Sequence, residues 1–139
     1  MEEDKKVMCK VAIICGTKVL VLKRSWKVIY HPHRWDIPGG AKDFGESLED
    51  AASRECLEEA GYEVDPTKLK LIDTQSKVRD GKPAERYCFA FYAEQEFEPR
   101  LSFEHSEYRW LEIGELDEVN LPNFYKDCIR ACLADVELL

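Results

Sequence analysis

Residues 39–62, GGAKDFGESLEDAASRECLEEAGY, hold more potential metal ligands and backbone breakers at fixed spacing than any other part of the chain. They read as a loop, a helix and a helix stop. Pro38-Gly39-Gly40 is a turn signal, and Gly45 marks a second point where the backbone favours conformations that residues with a Cβ avoid. The helix starts near Glu46 or Ser47. Ser47 is an N-cap with Asp50 three residues on, and Glu46, Glu49 and Asp50 suit the positive end of the helix dipole. Gly61 ends it.

At about 100° per residue, Glu55, Glu58 and Glu59 fall within one arc about 100° wide, together with Leu48, Ala51 and Ala52, while Glu49, Asp50 and Ser53 point away. Three carboxylates thus continue an apolar stripe. Held toward the protein, they are costly unless paired or bound to a cation, and Arg54 is the only cationic residue between Glu46 and Glu59. Carboxylates on adjacent helical turns suit a hard divalent ion that keeps several waters, as Mg2+ does. The competing reading is an acidic surface patch without a ligand. Residues 40–47 also have the glycine spacing of a phosphate-binding Walker loop, but Glu46 stands where that loop needs lysine, which reverses the charge facing a phosphate. An acidic site handles phosphates when metal ions bridge the two sets of anions.

These residues resemble a known family. The Nudix box, Gx5Ex7REUxEExGU with U a bulky apolar residue, is matched by Gly40, Glu46, Arg54, Glu55, Cys56, Glu58, Glu59, Gly61 and Tyr62. Cys56 and Tyr62 stand where an aliphatic side chain is more usual, and residues 34–39, RWDIPG, look like the family's approach to the box. The resemblance implies an α/β fold, an α/β/α sandwich around a central mixed sheet, spanning residues 1–139 as a single domain. It also implies hydrolysis of a nucleoside diphosphate linked to another moiety, by in-line attack of water on phosphorus. Mg2+, or Mn2+, would be held by Glu55, Glu58, Glu59 and the Gly40 carbonyl, with Glu55 or Glu104 as the base. Arg54 would pair with a neighbouring carboxylate and fix the loop.

Composition agrees with one domain. A chain of 139 residues, 45% hydrophobic, can bury a single sizeable core, and a net charge of −8 argues against binding a nucleic-acid polymer, though not against nucleotides. The first ten residues lack the apolar run of a signal peptide, and no stretch approaches membrane-spanning length, so a cytoplasmic protein without a membrane partner is expected. Cysteines at 9, 15, 56, 88, 128 and 132 form no CxxC pair and read as scattered, reduced core residues.

Residues 7–15 and 18–22 read as strands of a hairpin turning at Gly16-Thr17. A loop over residues 23–34 follows, in which Trp26, Tyr30, His31 and His33 offer a pocket lining; an HxH pair without Cys or Asp support is a weak metal signal. Lys23 and Arg24 follow directly from a strand, where the family often has basic residues, and are candidate phosphate contacts. Residues 68–78 and 85–94 read as an antiparallel pair across the turn-rich residues 79–83, residues 106–113 as a further strand and 115–119 as a helical turn. Residues 124–138 form an amphipathic helix with Tyr125, Cys128, Ile129, Cys132, Leu133 and Val136 on its apolar stripe.

Residues 103–107, before Tyr108-Arg109-Trp110-Leu111, are similar to the family's loop that brings a further acid to the metal; Glu104 is the first candidate and Glu107 the second. Asn123 resembles the asparagine that mutator-type members place on an oxidised guanine, although an Asn at a helix start is first of all a cap. A nucleoside triphosphate, oxidised ones such as 8-oxo-dGTP included, is therefore the expected small-molecule partner. ADP-ribose or a nucleotide sugar suits the same box, and a non-catalytic nucleotide-sensing or partner-binding module is a reading from another class. The intact box argues against the last.

Overall fold

The computed structural model describes residues 5–137, with side chains as far as residue 134. The elements run β1 (Lys6–Cys15), β2 (Lys18–Arg24), β3 (Trp35–Asp36), β4 (Gly39–Ala41), α1 (Leu48–Ala60), β5 (Lys70–Arg79), β6 (Lys82–Tyr92), β7 (His105–Glu112) and α2 (Asn123–Glu137), with 3-10 turns at Pro66–Lys68 and Ile113–Glu118. Both expected hairpins form, but β2 runs on through Lys23 and Arg24, and β6 starts at Lys82, which shortens the expected turn over residues 79–83 to Asp80-Gly81. Gly16 and the pair Asp80-Gly81 supply the positive φ values that tight turns between antiparallel strands need. β5 begins later than its pattern suggested. Asp65 accepts from the Thr67 N–H at 2.9 Å and Pro66 presets the first dihedral, so Lys68 ends a 3-10 turn instead of opening a strand.

β1 is the centre of the sheet. Its residues Cys9 to Ile14 are continuously buried, as an inner strand covered on both faces must be. Along one flank it pairs parallel with β6, which in turn carries β5 antiparallel at the edge. Its other flank is shared. Only Ile14 and Cys15 pair with β2 before the two strands diverge, and the gap is filled by residues 35–41: β3 pairs with Leu22 and Lys23 of β2, and β4 with Met8, Cys9 and Lys10 of β1. β7 closes the far side of β2. The sheet is therefore mixed and split near one end, with a wedge of chain in the split.

Strand alternation sends side chains to two separate cores. Cys9, Val11, Ile13, Leu20 and Leu22 meet Ala51, Ala52, Cys56 and Ala60 of α1, while Ala12, Ile14, Val19 and Val21 meet Tyr125, Cys128, Ile129 and Cys132 of α2. This is an α/β/α sandwich. The apolar stripe of α2 is buried through Cys132; Leu138 and the side chain of Val136 lie outside the described residues. All six cysteines are free, and Cys15 alone is not fully buried. Among the described residues no helix is long and apolar enough to cross a membrane.

Candidate active site

α1 starts and stops where its local chemistry dictates. The Ser47 hydroxyl accepts from the Asp50 N–H at 3.0 Å, and Gly61, at φ 65°, donates its N–H to the Leu57 carbonyl. The stripe of α1 runs through Ala52, Cys56 and Glu59, so the three expected acids are graded rather than alike: Glu59 is buried, Glu55 half-buried and Glu58 exposed. Glu58 sits about 100° round the helix from Glu59, enough to carry it off the inward face.

Pro38-Gly39-Gly40 does not make a free turn. β4 lies so close against β1 that a Cβ on Gly39 would collide with the Cys9 carbonyl oxygen and the Lys10 Cα, and its φ of 137° is itself closed to other residues. A Cβ on Gly40 would meet the Glu55 carboxylate. Both glycines are thus required by close approach, one to a strand and the other to an acid. Lys10, on β1, is fully buried and donates to Asp36 Oδ2 at 3.2 Å and to the carbonyls of Ile37 (3.2 Å) and Gly39 (3.1 Å), which ties the wedge to the central strand. Burial works against the Lys10 charge, but Asp36 and Glu59 outweigh it and hold the ammonium well above its ordinary range; Asp36 in turn is held below its own.

Arg54 fixes the loop before the helix. Its guanidinium donates to Glu46 (2.8 and 3.0 Å), to the Ala41 carbonyl (3.0 Å), and to Glu55 and Glu58 (3.0 Å each), while Asp43 lies 3.5 Å away. Hydrogen bonds from Arg54 hold the Glu46 carboxyl down at about 2. One planar fork therefore joins β4, the loop and two of the three helix acids.

Gly40, Glu55, Glu59, Glu104 and Arg24 face a common cavity of about 240 Å³. Glu104 reaches it because the Ser25 N–H donates to the Glu104 carbonyl and the Ser25 hydroxyl to that of Phe103, which ties residues 102–105 to the end of β2. Burial raises Glu55, with Glu58 and Glu104 adding repulsion, and pushes Glu59 up to about 8 even though Lys10 and the Gly39 N–H, 3.0 Å from its Oε1, favour its charge. Mutually repelling, partly desolvated carboxylates with only oxygen donors fit a hard divalent cation. As the side chains stand, no three His, Cys, Asp or Glu among the described residues close on one point. Arg54 draws Glu55 and Glu58 aside, so an ion would compete with Arg54 for them.

The remaining expected residues lie elsewhere. Lys23 pairs with Glu107 at 3.3 Å and does not line the cavity. Asn123 is exposed as the first residue of α2, and the carbonyl of Pro122, one residue earlier, receives the opening Lys126 N–H, so the asparagine does not occupy the cap position. His31 and His33 are exposed, with φ of 49° and 68°. Sequence reasoning missed Lys10 and Asp36, although a lone lysine inside the apolar run VMCKVAIIC was a visible signal. It also missed Arg34, Arg79 and Arg86, which join Arg24 in a cleft next to the cavity and are too far apart in sequence to form a pattern.

With this geometry in view, comparison with known proteins is specific about family and general about substrate. Over 51 residues, 34% of either chain, the protein is 47% identical to a putative 8-oxo-dGTP diphosphatase of Bacillus subtilis (strain 168). It is 36% identical over 88 residues to the asymmetrical bis(5'-nucleosyl)-tetraphosphatase of Sus scrofa, covering 60% of this chain and 58% of that protein. The chain thus spans between about a third and three fifths of these curated relatives. Among solved structures, a MutT protein from Methanosarcina mazei Go1 superposes with a TM-score of 0.77 at 24% identity, covering 94% of each chain. A C. elegans Ap4A hydrolase superposes at 0.76 and 23%, covering 97% of this chain and 98% of that one. These two show the shared fold. The NUDIX domain model matches residues 8–132, from β1 to the buried stripe of α2 and through the whole acid-bearing helix, and on that match the chain belongs to the NUDIX family.

Proposed function

We propose that this protein is a divalent-metal-dependent hydrolase that cleaves the diphosphate linkage of a nucleoside diphosphate bound to a further moiety, a nucleoside triphosphate first of all, giving the monophosphate and pyrophosphate. The observation that carries this reading is the cavity shared by Gly40, Glu104 and two acids of α1, Glu55 and Glu59, beside a helix whose approach loop is clamped by Arg54. The names of the B. subtilis and pig relatives, both acting on nucleotide phosphate chains, support the substrate class.

Glu55, Glu58 and Glu59, with the Gly40 carbonyl, would hold Mg2+ or Mn2+, which supplies charge neutralisation and polarisation of the phosphoryl oxygens. Glu55 and Glu104 both line the cavity, and either would accept the proton of an attacking water. Arg24 lines the same cavity and would contact phosphate oxygens; its own anchor is Asp36 at 3.3 Å. Arg54 touches no substrate in this scheme and acts by fixing the loop and orienting Glu55.

The test is turnover of a nucleotide panel with Mg2+, read as phosphate released after added pyrophosphatase. Hydrolysis of at least one triphosphate is expected, lost in excess chelator, with Glu58→Gln or Glu59→Gln lowering kcat by about 10²-fold or more while the fold is kept. Unchanged turnover in chelator would falsify the metal-dependent reading, and binding without turnover of any member would point to a sensing module.

A further inference from the structure

The cavity of acids adjoins a second cleft of about 110 Å³, and the two share Lys6, Met8, Lys10 and Arg24. In a protein of net charge −8, this second cleft is lined by six cationic side chains, Lys6, Lys10, Arg24, Arg34, Arg79 and Arg86, and by one carboxylate, Asp36. Asp36 is already committed, at 3.2 Å to Lys10 and 3.3 Å to Arg24. Among the described residues, Lys6, Arg34, Arg79 and Arg86 have no carboxylate within salt-bridge distance, and the buried Nε of Arg34 has no hydrogen-bond partner.

The rings nearby account for the faces of two of these guanidiniums; at their edges, one Arg86 N–H donates to Gln75 Oε1 at 3.4 Å, and the other N–H groups of that fork are left for a ligand. Arg79 lies 5.0 Å over the Tyr30 ring and Arg86 5.3 Å over the Tyr125 ring. Stacking uses the flat face of a guanidinium and leaves its N–H edge for a planar or tetrahedral oxyanion. The crowding is repulsive as it stands: Arg34 above all, then Arg24, Arg79 and Arg86, bear on His31 and oppose its protonation. The space is also well below the roughly 300–1,000 Å³ of a pocket that encloses a drug-sized ligand, so it suits a small, highly charged group better than a purine.

We propose that this cleft is an oligophosphate subsite: it takes phosphoryl groups of the substrate that lie beyond the scissile diphosphate linkage, so the enzyme favours long phosphate chains over a diphosphate joined to an uncharged sugar. The proposal rests on the reading of the carboxylate cavity as the cleavage site and narrows its substrate. Lys6 and Lys10 come from β1, Arg24 and Arg34 from the end of β2 and the loop that leads to β3, and Arg79 and Arg86 from the β5–β6 hairpin, so the charge is gathered by tertiary structure from three separate stretches of chain.

The first experiment uses inorganic tripolyphosphate in excess chelator, where the carboxylates hold no metal, and measures binding by calorimetry. The wild type is expected to bind it saturably, more weakly as salt is raised, and Arg79→Gln and Arg86→Gln to weaken it by about tenfold each, the loss of one charge-assisted contact. Lys18→Gln, which removes the same charge at the far end of β2, serves as control, and unchanged melting curves verify folding. Arg79 lies in a tight hairpin turn at the surface, so Arg79→Lys, which keeps the charge, is expected to recover part of the affinity. No binding by the wild type, or an equal loss in Lys18→Gln, overturns the subsite.

A second arm measures KM with Mg2+ for a dinucleoside tetraphosphate, a nucleoside triphosphate and ADP-ribose. KM is expected to fall in the order ADP-ribose, triphosphate, tetraphosphate, and Arg86→Gln to shrink the tetraphosphate-to-ADP-ribose ratio of kcat/KM by about tenfold, through KM. An unchanged ratio overturns the proposal. Inorganic tetraphosphate as a competitor separates the sources: inhibition as strong as by the dinucleotide shows that the chain alone is recognised, and weaker inhibition shows that the second nucleoside adds contacts while the phosphates still occupy the cleft. Tripolyphosphate binding that depends on Arg79 and Arg86, with no turnover of any nucleotide, would leave the subsite standing and remove the hydrolase reading.

Discussion

Gly39 and Gly40 are neighbours with opposite reasons to lack a side chain, and substitution separates them. Gly39 needs both a positive φ and the absence of a Cβ against β1 backbone, neither of which can give way. Gly39→Ala is expected to cost about 3 kcal/mol or more in a denaturant melt. Gly40→Ala meets only the far end of the Glu55 side chain, which can swing aside. It should therefore leave stability within about 1 kcal/mol of wild type while lowering kcat by about tenfold or more, because the displaced carboxylate leaves the cavity. Equal stability losses for the two would contradict this division. Arg54→Lys is a companion test: an ammonium cannot serve Glu46, Ala41, Glu55 and Glu58 together, so the conservative change should lower kcat nearly as far as Arg54→Ala.

At the scale of elements, α1 was legible in the sequence to within two residues because its signals are local: the Ser47 cap, the Gly61 stop and the spacing of Ala51, Ala52 and Cys56. The two hairpins were legible for the same reason. What could not be read is the wedge. β3 and β4 are too short to carry a period, and they exist only because β1 and β2 diverge and leave backbone groups on Met8, Lys10, Leu22 and Lys23 to be paired. The same split brings Lys10 to Asp36, 26 residues away, and the arginine cleft draws on residues from three separate stretches of chain. The carboxylate pattern predicted one acidic face, but only packing could grade it into a buried Glu59 and an exposed Glu58. The sequence ranked Glu104 ahead of Glu107 only by resemblance; the tie of Ser25 to residues 103 and 104 brings Glu104 to the cavity, while Glu107 pairs with Lys23.

At the scale of the whole molecule, two buried groups give the metal-free protein opposite pH dependences. Burial lowers His105 from 6.5 to about 4, so the stability it confers is present above pH 6.5 and is lost as pH falls toward 4. Glu59 is the reverse case. Its folded value, raised from 4.5 to about 8 by burial, means that the fold keeps a proton the unfolded chain gives up, so stability declines as pH rises through that window. The two effects oppose each other below pH 6.5, which leaves the Glu59 decline exposed between about 6.5 and 8. Melting curves in chelator should fall across that interval for the wild type and stay flat for Glu59→Gln. Mg2+ should cancel the decline, because a cation that binds the native carboxylates stabilises the folded state alone and more strongly once Glu59 is ionised. A melting temperature unmoved by millimolar Mg2+ at pH 8 would argue against a site on the inward face.

The central claim, that the cavity of Glu55, Glu59 and Glu104 is a divalent-cation site, is tested most directly with Mn2+ itself. The paramagnetic signal of free Mn2+ disappears on binding, so titration at pH 8 reports occupancy without reference to any substrate. The wild type should remove Mn2+ from solution saturably, with Mg2+ competing, and Glu55→Gln/Glu59→Gln, still folded, should leave the free signal unchanged. Equal Mn2+ uptake by the wild type and the double variant would place the metal elsewhere and contradict the account.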